Sequence, residues 1–198
     1  VAERPILFSG PMVPAILDGR KTQTRRVIKP QPPVGTRGVY RPFGGELNNW
    51  QGARGDLIAW YGQCPHGQEG DRLWVRETFT VQPQSAISSR DLVFYRADVG
   101  NTYLDGKWKP SIFMPRWANR ILLDVAEVRA QRLQEISEAD AAEEGVGAWF
   151  EDHPHPEWDG DPNEYRKGFQ ELWDAINGNN HPWSKNPWVW AVTFKKIG

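Results

Sequence analysis

The 198-residue chain predicts an α+β fold, mainly β: a small, mostly antiparallel β-barrel flanked by helices and carrying long loop insertions. Three observations lead there. Short apolar or alternating runs recur along the chain, as half-buried strands require. Helical spacing is confined to a few segments. The closing run Trp188–Phe194 is apolar on both faces, the pattern of a central strand. A single domain over 1–198 is expected, with insertions at about 31–69 and 147–162.

Pro5–Phe8 reads as a first strand, broken by Gly10-Pro11. Met12, Val13, Ile16 and Leu17 then recur at helical spacing until Gly19, a natural stop. From Pro30 to about Gly70 the chain is rich in Gly and Pro, with one strand at Leu57–Tyr61. The Gly70-Asp71 turn leads into Arg72–Phe79. Alternation there puts Leu73, Val75, Glu77 and Phe79 on one face and Arg72, Trp74, Arg76 and Thr78 on the other. A carboxylate among apolar side chains is costly unless paired, so Glu77 is an ion-pair partner or a site residue. Leu92–Tyr95 and Ile121–Val125 read as further strands.

Ser137 is a good N-cap with Asp140 three residues on, and that helix stops at Gly145. Asp161-Pro162 starts the next, whose Tyr165, Phe169, Leu172, Trp173 and Ile176 share a face until Gly178.

Charge is nearly balanced, 24 basic against 25 acidic side chains, which excludes a global polyelectrolyte argument for nucleic acid. It is unevenly placed. Residues 1–60 hold nine Lys/Arg and four Asp/Glu, whereas 135–164 hold eleven acids and no Lys or Arg. A basic patch is compatible with that distribution, and most of the acidic stretch reads as helix surface and loop. The single Cys64 excludes an internal disulfide and fits a reducing compartment. No apolar run reaches membrane-spanning length and no signal-peptide pattern opens the chain, so no membrane partner and a cytoplasmic location are expected.

Of eleven tryptophans, Trp74, Trp173, Trp188 and Trp190 lie in patterned segments and are expected in the core. Trp50, Trp108, Trp117, Trp149, Trp158 and Trp183 lie among Gly, Pro and charged residues, where they pin loops or stack bases. Cys64, His66, His153, His155 and His181 lack the number and spacing of zinc ligands. Neither a metal nor a cofactor is therefore expected, and no Gly-rich phosphate cradle or Ser-His-Asp order is convincing.

The most informative stretch is Gly19-Arg20-Lys21-Thr22-Gln23-Thr24-Arg25-Arg26, which reads as a loop leaving the first helix. Its cations repel one another, so an anion or a buried carboxylate is expected among them. Together with the Gly70-Asp71 turn and the terminal strand, this stretch resembles the ASCH domains, a branch of the PUA-like barrels associated with RNA. Ile6-Leu7-Phe8-Ser9, Arg72-Leu73-Trp74-Val75-Arg76-Glu77 and Asn186-Pro187-Trp188-Val189-Trp190 extend the similarity to the longer ASCH proteins of phages and prophages. It covers nearly the whole chain and is weakest in the two insertions.

The family's usual loop is Gly-x-Lys-x-x-Glu-x-Arg. Gly19, Lys21 and Arg26 match, and Thr24 replaces the glutamate. That departure is similar to the small ASCH enzymes that deacetylate acetylcytidine with a lysine, a threonine and a glutamate. The resemblance implies Lys21, Thr24 and Glu144 as the catalytic set; Glu77, which strand alternation directs inward, is the competing carboxylate. Arg25, Arg26 and Arg76 are the candidate contacts to phosphate or base edges, with Glu77 and Trp74 also candidates for ligand binding. Two functions are expected from it: metal-independent hydrolysis of an acyl amide on a cytosine-type nucleobase or nucleoside, or recognition of RNA or a modified nucleotide without chemistry. No protein partner is indicated.

Overall fold

A computed structural model describes residues 1–32, 36–40, 51–54, 57–61, 64–82, 92–99, 107–153, 161 and 164–197. Trp50, Trp158, His155 and much of the two expected insertions lie outside the described residues. The fold is α+β, and strands outweigh helices.

The main sheet is mixed and five-stranded. Its strands are β1 (Glu3–Leu7), β2 (Gln23–Val27), β6 (Arg72–Arg76), β9 (Leu122–Arg132) and β10 (Trp188–Ile197), in the order β1-β6-β9-β10-β2. β1 runs parallel to β6, and the other three pairings are antiparallel. The expected barrel is therefore an open order of strands among the described residues. Where closure would need a ladder between β1 and β2, the Arg26 guanidinium donates to the Leu7 carbonyl instead. A smaller sheet holds β3 (Thr36–Tyr40), β4 (Gln51–Arg54) and β5 (Leu57–Tyr61) in the order β3-β5-β4, and β7 (Phe79–Gln82) pairs with β8 (Leu92–Tyr95).

Among the described residues, five α-helices join the strands: α1 (Met12–Leu17), α2 (Arg96–Val99), α3 (Glu138–Glu143), α4 (Val146–Asp152) and α5 (Tyr165–Asn177). Ser137 caps α3 as expected, its hydroxyl accepting from the Asp140 N–H, an arrangement worth about 1 kcal/mol. α5 starts at Tyr165, four residues after its expected acidic cap, Asp161.

Two expectations are corrected. The run Arg72–Phe79 is not one strand: β6 ends at Arg76, and Phe79 opens β7. The bend sits at Glu77, whose backbone N–H goes to the Met114 sulfur rather than into a ladder. The basic stretch is not a loop either, since Gln23–Val27 is strand β2 against the final strand.

The core gathers the inner faces of α1 and α5 with Leu73, Val75, Leu123, Val125 and most of β10. Trp173, Trp188 and Trp190 are buried in it, as their patterned settings imply. Trp183 packs edge-on to Phe169 of α5, whereas Trp149 lies within α4 and stacks on His153 at that helix's own end. Trp117 is exposed. Among the described residues, no helix is long and apolar enough to cross a membrane.

Candidate functional site

Lys21 is positioned by the turn between α1 and β2. Gly19 takes φ +75°, the left-handed conformation that ends the helix, and the Lys21 N–H donates to the Ala15 carbonyl. The next residue is clamped from both sides: the Thr22 N–H donates to the Glu143 carbonyl, and its own carbonyl accepts from the Phe194 N–H. The segment entering β2 is thereby tied to the end of α3 and to β10.

Glu144 is the C-cap of α3, and Gly145, at φ +83°, reverses the chain into α4. A side chain at 145 would meet the Lys21 stem, since a Cβ there would lie 3.2 Å from Lys21 Cβ. Lys21 passes over this glycine and its Nζ donates to both the Glu144 carbonyl and the carboxylate, the latter at 2.9 Å. A cation at the carbonyl end of a helix is favourably placed.

Strand alternation sends Gln23 and Arg25 toward α3. Arg25 donates to Glu144 at 3.1 Å, to Asp140 at 3.0 Å and to the Gln23 side-chain oxygen at 2.9 Å. Gln23 in turn donates to Asp140 and Glu143, each at 2.9 Å. Arg25 also lies over the Phe169 ring. The carboxylate expected among the cations is thus Glu144, with Asp140 and Glu143 beside it.

Arg26 projects from the other face of β2, where it and Lys21 both approach the Phe8 ring, at 5.3 and 5.7 Å from its centroid. These side chains line a concave cleft of about 530 Å³, within the size range of small-molecule sites. Lys21, Thr24, Arg25, Arg26 and Glu144 form its polar wall and Phe8, Phe169, Trp173 and Trp190 an apolar wall; His66 and Lys29 also line it.

Burial pushes the Lys21 ammonium below its ordinary value, against the pull of Glu144, and Arg26 and Arg25 add to the downward push. His66 is lowered to about 4, first by burial and then by Arg26 and Arg4. Burial opposes ionisation of Asp140, yet its hydrogen bond from Gln23 and the charges of Arg25 and Arg129 hold its carboxyl below the ordinary value.

The structure brings together Lys21, Thr24, Glu144, Arg25 and Arg26 and leaves out the other three expected site residues. Glu77 points inward as its alternation implies, but it receives a two-pronged ion pair from Arg120, at 2.9 and 2.8 Å, outside the cleft lining. Arg76 lies over the Trp74 ring and donates to the Ile112 carbonyl, and Trp74 is buried in β6.

Sequence reasoning missed Gln23, Asp140 and Phe8. A signal for Asp140 existed: Asp140, Glu143 and Glu144 have the i, i+3, i+4 spacing that puts three carboxylates on one helix face. His66 stood out only as a metal candidate. Among the described residues, no three His, Cys, Asp or Glu side chains are grouped to hold a metal ion.

No protein-family model matches this chain, and no curated protein sequence does. Among solved structures it is similar to the crystal structure of protein EF3133 from Enterococcus faecalis, assigned to the family-model DUF984. That likeness covers 100% of this chain and 81% of the other, at 9% identity and a TM-score of 0.42, a level that carries no argument about function.

Proposed function

We propose that the cleft hydrolyses an acyl amide on a cytosine-type nucleobase or nucleoside, as an ASCH-type amidohydrolase of PUA-like ancestry would. The observation that carries this reading is the buried Lys21–Glu144 pair on the wall of a concave cleft that Thr24 also lines.

Lys21 is the proton carrier. A neutral amine keeps two N–H bonds, enough for the two Glu144 acceptors, and its lone pair remains for an incoming proton. Burial favours that neutral form. The Thr24 hydroxyl, or a water beside it, attacks the acyl carbon and gives its proton to Lys21. The C–N bond of the tetrahedral intermediate then breaks. The same proton passes to the departing nitrogen, which leaves as the exocyclic amine of the base. With Thr24 as nucleophile, a water then cleaves the acyl ester and releases the carboxylic acid. Glu144 orients Lys21 and supplies compensating charge, while Phe169, Trp173 and Trp190 give the planar base an apolar wall.

The test is incubation with acetylcytidine, followed by chromatography for cytidine and acetate. Lys21→Met and Thr24→Val should each lower turnover by ~100-fold or more, typical for loss of a positioned acid/base group or nucleophile. Absence of product above background at high protein concentration overturns the hydrolytic reading.

A second reading is binding of RNA or a modified nucleotide without chemistry. The aromatic wall favours it, because stacking needs no proton carrier. Cytidine binding without turnover is its signature.

A further inference from the structure

The cleft holds more positive charge than its ion pairs use. Lys21, Arg25, Arg26 and Lys29 line it against one carboxylate, Glu144. Lys21 and Arg25 are both engaged by Glu144, and Arg25 by Asp140 as well. Among the described residues, neither Arg26 nor the exposed Lys29 lies within ion-pair distance of a carboxylate.

The surroundings of Arg26 neutralise it only in part. Its hydrogen-bond partner is the neutral Leu7 carbonyl, and its guanidinium rests on the Phe8 ring. Desolvation by burial disfavours its charge, and Glu144, beyond ion-pair distance and already paired with Lys21 and Arg25, offsets only part of that. A partly buried guanidinium without an anion is a costly arrangement unless a ligand supplies one. His66, which lines the same cleft, senses the Arg26 charge and is neutral near pH 7, so its ring N–H can donate to an oxyanion without adding charge of its own.

We propose that Arg26, Lys29 and His66 form an anion subsite, and that the cleft's ligand is a mononucleotide carrying a phosphate rather than an uncharged nucleoside. This rests on the nucleoside reading of the cleft and narrows it. A guanidinium, an ammonium and a neutral imidazole match a phosphate monoester, whose several acceptor oxygens take charge-assisted hydrogen bonds. The cleft's volume of about 530 Å³ suits one nucleotide.

Titration calorimetry on the full chain tests this with cytidine, cytidine monophosphate, inorganic phosphate and a cytidine trinucleotide. The monophosphate should bind ~10-fold or more tightly than cytidine, equivalent to about 1.4 kcal/mol, and the difference should shrink as salt rises. Lys29→Gln, at an exposed position, and Arg26→Gln should each bring the ratio toward one, with thermal melting used to verify that each variant is folded. Equal affinity for cytidine and its monophosphate in the wild-type protein overturns the proposal. So does tighter binding of the trinucleotide, which would give the cations to a polymer. If phosphate binds and weakens in Lys29→Gln while cytidine does not bind, the anion subsite stands and the nucleoside reading fails. If neither phosphate nor the monophosphate binds, the subsite fails. Calorimetry requires no turnover, so a negative acetylcytidine assay leaves this result interpretable.

Discussion

The Lys21 ammonium lies 2.9 Å from a carboxylate oxygen of Glu144, and both side chains are almost wholly buried. Glu144 also takes a bond from the buried Arg25, so one carboxylate answers two cations that arrive from β2 and its entry turn. The two partners are therefore not equivalent.

Glu144→Gln strips the charge that both cations share, and stability should fall by ~3 kcal/mol, the range for breaking a buried pair from one side. Lys21→Met leaves Glu144 paired with Arg25 and should cost clearly less. Urea denaturation of the two variants gives the comparison. Equal losses would mean that Arg25 does not sustain Glu144 alone.

Gly145→Ala should be disproportionately harmful to the cleft. A φ of +83° strains any side chain there, and the new Cβ would press on Lys21 Cβ at 3.2 Å. A stability loss of about 1–2 kcal/mol is expected from the backbone alone. Ligand affinity at a temperature where the variant is fully folded should drop further, because Lys21 must move. Unchanged affinity in a folded variant would show that Lys21 tolerates the displacement.

Glu77→Gln separates stability from function. It breaks the ion pair with Arg120, which keeps Asp98 as a partner at 2.6 Å. Stability should fall by roughly 2–4 kcal/mol, whereas cytidine affinity should not change. Thermal melting and calorimetry on the same sample decide it, and a change in affinity would reconnect Glu77 to the cleft.

His66 should give stability a dependence on mildly acid pH. Its folded value of about 4 lies below the ordinary histidine value of 6.5. Below pH 6.5 the unfolded chain binds a proton that the folded chain refuses. Stability is therefore full above about 6.5 and falls as pH drops toward 4, by at most about 3 kcal/mol. Asp71 and Asp140, held below the ordinary carboxyl value, contribute stability that is lost only at lower pH. Urea midpoints between pH 7 and 4.5 should slope in the wild type and flatten in His66→Gln.

Much of the framework was legible because local rules and tertiary environment agreed. Gly19 ended α1, Ser137 capped α3, and the doubly apolar run at 188–194 became part of β10, between β9 and β2. β2 was illegible for the opposite reason. Gln-Thr-Arg-Arg-Val has no apolar alternation, and its inward polar groups are satisfied by carboxylates more than a hundred residues away. α4 was hidden because Gly145 looks like a terminus, yet its left-handed backbone links two helices. At the site, the cation cluster announced a carboxylate, but nothing local said which one. Glu144 came from family resemblance, and Glu77 was an equally well-reasoned inward carboxylate that found its partner in Arg120.

The pairing of β2 with β10 sets a timetable for the cleft. Gln23 lies against Thr193 and Val27 against Val189, roughly 160 residues further along the chain. At a synthesis rate of about 5–20 residues per second, the strand bearing Thr24, Arg25 and Arg26 waits on the order of ten seconds for its neighbour. During that interval these cations remain hydrated. A ribosome-bound chain that has not yet released β10 has every residue of the polar wall but lacks the strand that β2 pairs with and the Trp190 wall, so the cleft is completed only once β10 has emerged.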